Sequence, residues 1–369
     1  MRVGLDYRPA TGFPNSGIGR QNIALEDAFR ARPDVQLQLF SIGPLGHGVR
    51  QVAHCPRWAT PLDGIHRLPE RLRFEAGFLP QALRDAEVDL YMANLNMGLP
   101  IGRKPAGMRY ILQLHDVFQL TLSNAHGSKI KARIYGQTDR LSIGHSVRVA
   151  DRIWTPSQFT ADETVRLFPH ARDKVRVLPN LVDGFTAEPV DLATPLPERY
   201  WLCVGTREPR KNIPWFVEAW QIARRQFPKT PDLVLVGGPD GLNSAQRELP
   251  GLRIVSGISD GELHRVYRQA ERLWHPSYGE GFGLPVVEAL GVGTPVAVAS
   301  GSSLDEVTPD GSPRFSPDDQ SALVRLMGML STEEQQDPAP LLAWAQHYGV
   351  DAYRRRFNEL LDELSREPD

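Results

Sequence analysis

The run His275-Pro-Ser-Tyr-Gly-Glu280-Gly-Phe-Gly-Leu-Pro285-Val-Val-Glu288 sets two carboxylates either side of a glycine-rich turn. An apolar stretch ends at the turn, and Pro285 can open the following helix because its missing N–H is not needed there. Free backbone N–H groups at such a helix start, with Gly281 and Gly283 permitting close approach, form an anion or sugar-hydroxyl site. Glu280, in the loop, and Glu288, on the first helical turn, would repel phosphate. Their expected partners are hydroxyls, since an ionised carboxylate accepts two hydrogen bonds from a vicinal diol such as ribose. The plainer alternative is a helix start whose acids answer the helix dipole.

A second cluster, Val204-Gly-Thr206-Arg207-Glu-Pro-Arg210-Lys211-Asn, puts three cations within five positions at a strand-to-helix turn. A diphosphate leaving group needs that charge where no DxD pair brings a metal. The alternative is a solvated basic turn. Asn15-Ser-Gly17-Ile-Gly19-Arg20 could bring backbone close to a ligand at another helix start, yet it lacks the full dinucleotide fingerprint. No acid ends the second strand at Leu39-Phe40-Ser41, which disfavours a dinucleotide oxidoreductase. His115-Asp116, at a strand end, can bind a sugar or relay a proton, or be structural. His126 and His145 have no comparable context, and Ser157 reads as a helix cap.

Short apolar runs must position these groups. In the first half they lie at 2–6, 35–41, 88–92, 110–114, 152–154 and 174–178, with helices expected over 18–31 and 130–150. In the second half they lie at 200–204, 233–236, 253–255, 273–274 and 296–299, with helices over 213–226, 260–270, 285–290 and 318–330. The alternation predicts an α/β fold of parallel sheets covered on both faces. Residues 183–199, with Pro189, Pro195 and Pro197, read as a linker, and 341–365 as two amphipathic helices without a strand to cover. Two doubly wound domains facing a central cleft are expected, with the chemistry at the carboxyl ends of the strands.

The chain has 369 residues, enough for about two domains. No apolar run reaches the 18 residues of a membrane span, and the N-terminus meets a charge too early for a signal-peptide core. Cys55 and Cys203 suggest no disulfide framework, and the ten histidines have no metal-ligand spacing. A cytoplasmic protein without a structural metal is expected. The net charge of −2 divides unevenly: residues 1–190 carry 24 Lys+Arg against 18 Asp+Glu, and the remainder carry 18 against 26. The basic half could face something anionic, although no basic-aromatic stripe points to nucleic acid.

Together these pieces resemble the retaining glycosyltransferases of the GT-B class, family four. Glu280-Gly-Phe-Gly and Glu288 reproduce the family signature, and Gly17-Ile-Gly19-Arg20, His115-Asp116, Thr155-Pro-Ser157, Leu178-Pro-Asn180, Gly291-Val-Gly-Thr-Pro295 and Ser302-Ser303-Leu-Asp-Glu306 follow in the family's order. The resemblance implies two Rossmann-like domains: an acceptor domain over 1–185, a linker over 186–198, a nucleotide-sugar domain over 199–348, and a C-terminal helix over 349–369 crossing back. It implies Glu288 on the ribose, and Gly281, Phe282, Gly283 and Leu284 on the donor sugar with Glu280 beside it. Lys211 and Arg210 would bind the diphosphate, Gly17 and Gly19 would close a loop on it, and His115 would contact the donor sugar. Thr206 stands where an arginine is common, which makes Arg207 a spectator beside the pair Arg210 and Lys211. Leu178-Pro-Asn180-Leu lacks the usual following glycine.

The Pro-Arg-Lys-Asn run is similar to that of bacterial polysaccharide mannosyltransferases. The expected reaction is hexose transfer with retention, from GDP-mannose to a glycan or lipid-linked acceptor, without metal or other cofactor. A GDP-deoxyhexose or UDP-sugar donor, a GT-B epimerase, and a non-catalytic nucleotide-sugar binder are the alternatives. Residues 65–79 mix basic, apolar and aromatic side chains, so they either dock on an anionic membrane at the inner face or form a solvated helix packed on the core.

Overall fold

The computed structural model describes residues 1–46, 49–56, 60, 62–121, 129–206, 208–334 and 337–366. The chain forms two compact units, Met1–Leu181 with Tyr353–Asp369, and Val182–Ala352. The boundary thus falls at 181/182, not after 185. Residues 186–198 do not form a free linker. Leu192 and Leu196 pack on the core of the second unit, and Val190 N–H donates to Gly261 O at 3.0 Å.

The first unit has seven parallel strands: β1 (Arg2–Asp6), β2 (Gln36–Ile42), β3 (Gln51–His54), β4 (Leu90–Ala93), β5 (Arg109–Gln113), β6 (Arg152–Thr155) and β7 (Val175–Val177). Their order is β3-β2-β1-β4-β5-β6-β7, a doubly wound arrangement that reverses direction between β1 and β4. Alternate residues feed two cores. Leu39, Leu90, Met92 and Ile111 enter one, while Phe40, Tyr91, Ala93, Tyr110 and Leu112 enter the other. Both faces are apolar because both are covered.

The C-terminal helix Val350–Arg366 covers the first of these faces. Tyr353, Phe357, Leu361 and Leu364 recur at helical spacing and are buried, with Phe357 meeting Phe29 edge-to-face at 4.8 Å. Burial of that stripe binds the chain's end to the unit in which the chain began.

The second unit has six parallel strands: β8 (Tyr200–Val204), β9 (Asp232–Val236), β10 (Leu252–Val255), β11 (Arg272–His275), β12 (Val296–Ala299) and β13 (Arg314–Phe315). They run in the order β10-β9-β8-β11-β12-β13. Tyr200 and Leu202 face one core, while Trp201 and Cys203 face the other. Residues at the carboxyl ends of the central strands β8 and β11 are therefore neighbours, although about seventy residues separate them in sequence.

Residues 63–85 are a chain of short helices: Asp63–His66, Leu68–Leu72, a π-helical turn Arg73–Phe78, and Leu79–Asp85. Phe74 and Leu79 enter the core. Glu70, Arg71 and Glu75 are buried as well, and Arg8 bridges Asp6 and Glu75 at 2.6 and 3.2 Å. The exposed residues here are His66, Arg67, Pro69, Leu72, Arg73, Ala76, Gly77, Gln81, Arg84 and Asp85. The segment is largely a packed part of the unit.

Candidate active site

In the second unit β11 ends at His275, and the loop that follows leads to the helix Leu284–Gly291. Gly283 caps that helix with φ 107°, in the left-handed region that glycine tolerates. A Cβ there would stand 2.7 Å from Leu304 Cδ2, so space enforces glycine as well. Helix residues thus begin at Leu284, with Pro285 second. Glu288 is fifth, just past the first turn on which the sequence places it. The N–H groups of Phe282, Gly283 and Leu284 donate no hydrogen bond among the described residues. The Phe282 ring is core, lying edge-on to Tyr348 at 5.3 Å, so only its backbone can serve a ligand.

After β8, the turn Pro209–Lys211 leads through Asn212, at φ 57°, into the helix Ile213–Gln226. It is clamped to the loop after β11. Arg210 O accepts from Tyr278 N–H at 2.9 Å and from the Ser277 hydroxyl at 3.1 Å, and Arg210 Nη1 donates to Gly279 O at 3.0 Å. The clamp brings both cations to Glu280. Lys211 Nζ and Arg210 Nη1 each lie 2.6 Å from Glu280 Oε1, and His275 Nε2 lies 3.0 Å from the same oxygen.

Glu280 is only 5% exposed. Burial pushes its carboxyl pKa up, but Lys211, the His275 hydrogen bond and Arg210 hold it well below the usual carboxylate range. His275 is lowered, by burial first and by Lys211 next, so the neutral ring donates Nε2–H to the carboxylate. Within the protein, Glu280 therefore meets two cations and a histidine through Oε1. Lys211 has three N–H bonds, and its bond to Glu280 leaves donors for a phosphate oxygen.

Thr206 serves the scaffold: its hydroxyl donates to Gly238 O at 2.7 Å, tying the turn after β8 to the turn after β9. Arg207 lies outside the described residues, as does His126. Glu288 is buried and accepts from Tyr267 O–H at 2.8 Å. Ser303, also buried, donates to Glu280 O at 2.6 Å and fixes the loop from the other side. Sequence reasoning passed over Tyr267 and His275 as site residues. The signal for His275 was its place in the signature run itself.

In the first unit Ser16 caps the helix Gly17–Arg30, its hydroxyl accepting from Gly19 N–H at 3.0 Å. That N–H is engaged within the protein. A Cβ on Gly19 would overlap the carbonyl of Phe13, so the glycine lets its own loop pack, whatever else it does. His115 follows β5 and is buried, with Nε2 2.7 Å from Asn94 Oδ1. Burial lowers its pKa to about 4, against the hydrogen bond to Asn94, so the ring is neutral near pH 7. His145 Nε2 meets Pro100 O at 3.0 Å, and Ser157 caps the helix Gln158–Leu167.

Two doubly wound units with parallel sheets are the architecture of the GT-B glycosyltransferases. Residues 16–184 match the family model described as Glycosyltransferase Family 4, and residues 198–332 match that described as Glycosyl transferases group 1. The chain belongs to the family-four glycosyltransferases. It is 27% identical over 343 residues to O-antigen chain mannosyltransferase B of Escherichia coli, covering 84% of this chain and 86% of that one. Among solved structures, sucrose-phosphate synthase of Thermosynechococcus elongatus aligns with a TM-score of 0.67 at 19% identity, over 99% of both chains. Anabaena HepE in complex with UDP-glucose aligns with a TM-score of 0.65 at 17% identity, over 98% of this chain and all of that one. These two likenesses concern the fold.

Proposed function

We propose that this protein transfers a hexose, with retention at the anomeric carbon, from a nucleoside diphosphate sugar to a hydroxyl of a glycan or lipid-linked acceptor in bacterial polysaccharide synthesis. The observation that carries the reading is the convergence of Arg210, Lys211 and Glu280 beside a helix start with unspent N–H groups. The two cations stabilise the departing diphosphate without a metal, and the helix N-terminus adds its dipole. Glu288 takes the ribose hydroxyls, and Gly281 to Leu284 take the sugar through their backbone. Gly17 and Gly19, in the first turn of their helix, are assigned to the phosphates and His115 to the sugar.

Glu280 is a poor covalent nucleophile here. Its Oε1 receives three donors, and its low pKa marks weak basicity. That supports a front-face course in which the leaving phosphate takes the acceptor's proton. A glycosyl adduct trapped on Glu280 would overturn this preference.

Mannose from GDP-mannose is the leading donor, supported by the Pro209-Arg-Lys-Asn run and by the mannosyltransferase relative. Calorimetric titration of GDP, UDP, ADP and dTDP tests it. Selective GDP binding supports mannose, tight UDP binding replaces the donor, and no binding sinks the function. Turnover that needs an acceptor separates transfer from epimerisation and from mere binding, and turnover that survives chelation supports the metal-free course.

The site of action is the cytoplasmic face of a membrane. Among the described residues no helix is long and apolar enough to cross one. Leu62, His66, Arg67, Leu72 and Arg73 are each exposed and would serve peripheral docking. Failure to bind anionic liposomes at low salt removes the membrane from the reading.

A further inference from the structure

At the carboxyl ends of β4 and β5, four buried polar residues meet: Asn94, Asn96, Gln113 and His115. The turn Asn94-Leu95-Asn96 grips His115 twice. The His115 backbone N–H donates to Asn96 Oδ1 at 2.6 Å, and its ring Nε2 meets Asn94 Oδ1 at 2.7 Å. Asn96 holds a left-handed φ of 63°, which asparagine tolerates better than most residues, and its own N–H donates to Gln113 O at 3.3 Å.

An amide oxygen only accepts, so the ring proton sits on Nε2. A neutral imidazole carries one such proton, and Nδ1 is then an acceptor. Asn94 Nδ2 is buried without a hydrogen-bond partner among the described residues, as is Gln113 Oε1. A buried donor left unmade is costly. A turn that served packing alone would gain from an apolar residue at position 94, so the asparagine is there for its oxygen.

We propose that Asn94 is a positioning residue, holding His115 in the Nε2–H tautomer so that Nδ1 accepts the proton of a sugar hydroxyl. The sugar rests on the function proposed above; the tautomer does not. The hydroxyl finds an acceptor whose direction is fixed at both ends of the residue, by Asn94 at the ring and by Asn96 at the backbone. A histidine free to swap tautomers would offer a donor part of the time and lose the discrimination.

Histidine-selective 15N NMR on the full chain reads the tautomer directly. Wild type should show His115 unprotonated at Nδ1, with an Nε2–H that exchanges slowly with water. Asn94→Ala should lose the slow exchange and lower kcat/KM about 10- to 100-fold at little change in melting temperature. The isosteric Asn94→Asp should protonate both ring nitrogens at pH 7 and lose at least as much activity. A wild-type ring protonated at Nδ1 overturns the proposal, and so does an Asn94→Ala variant with slow exchange and full activity. If wild type shows the ring signature but turns over no nucleotide sugar, the proposed function falls, and the sugar-reading half of this inference falls with it.

Discussion

Lys211 holds Glu280, its Nζ 2.6 Å from a carboxylate oxygen that Arg210 and His275 also share. Arg210 is paired with the exposed Glu208 as well, at 2.8 Å, so the cation left facing an anionic ligand is that of Lys211. Lys211→Ala removes it while Arg210 keeps Glu280 paired. We expect nucleoside diphosphate to bind about 10- to 100-fold more weakly, as for a lost charge-assisted hydrogen bond of about 1.5–3 kcal/mol. Calorimetry with GDP and UDP reads this, and unchanged affinity for both would remove Lys211 from the phosphate site.

Glu280→Gln moves affinity and turnover in opposite directions. Without the carboxylate, Lys211 loses its ion-pair partner while Arg210 keeps Glu208, so diphosphate binding should hold or tighten. Turnover should fall, because the Lys211 ammonium is no longer fixed against the loop. Equal losses in affinity and turnover would mean that the carboxylate only holds the fold. Paired titration and initial-rate measurements on the one variant decide between the two.

Acid should weaken the protein in two stages. The folded pKa of His115, about 4, lies below its ordinary value of 6.5, so the unfolded chain binds the proton first. Stability is therefore full above about pH 6.5 and declines as pH falls toward 4, by about 2 kcal/mol at pH 5 from this group. His275 is shifted the same way and adds to the loss. The Glu280 contribution is present above its ordinary carboxylate pKa and is lost only as pH drops below about 4.5. Urea unfolding of wild type and His115→Gln at pH 7.5 and 5 should show a shallower pH dependence in the variant; parallel slopes would contradict it.

The strands at 2–6, 200–204 and 296–299 and the helix at 213–226 have the bounds that their apolar patterns indicate; Gly205, Pro295 and Asn212 punctuate the last three. β3 escaped: Gln51–His54 carries two polar residues and is only half-buried, so it lacks the apolar run of an inner strand. The helices over 63–85 are obscured by Glu70, Arg71 and Glu75, charged residues that are buried against Arg73, Asp139 and Arg8 respectively. At the site, the signature shows which groups gather, while their partners depend on packing. Nothing in the spacing of 211 and 280 indicates that Lys211 meets Glu280 in preference to a ligand. Tyr267 lies on another helix, twenty-one residues before the carboxylate it reaches.

Gly19→Ala should damage the first unit by overlap with the Phe13 carbonyl. The neighbour is backbone, so relief requires the 13–16 loop to move and the Ser16 cap to loosen. A cost of about 2–4 kcal/mol is expected, in the range of overpacking plus a weakened cap. Chemical unfolding measures it, and Ile23→Ala, on the exposed face of the same helix, should cost far less. A Gly19→Ala variant of wild-type stability would show that the loop has room to yield.

Glu288 lies beyond the first helical turn, is buried, and accepts a hydrogen bond from Tyr267. If it holds ribose hydroxyls, its contribution must vanish when the hydroxyls do. Glu288→Gln keeps the shape but halves the accepting capacity and removes the charge, so GDP affinity should fall about tenfold or more. Against 2′,3′-dideoxy-GDP, wild type and variant should bind alike, both weakly. Tyr267→Phe should act in the same direction but less, since it releases the carboxylate without removing it. A Glu288→Gln penalty of the same size with the dideoxy nucleotide would assign the carboxylate to the protein's own framework and leave the ribose to other groups.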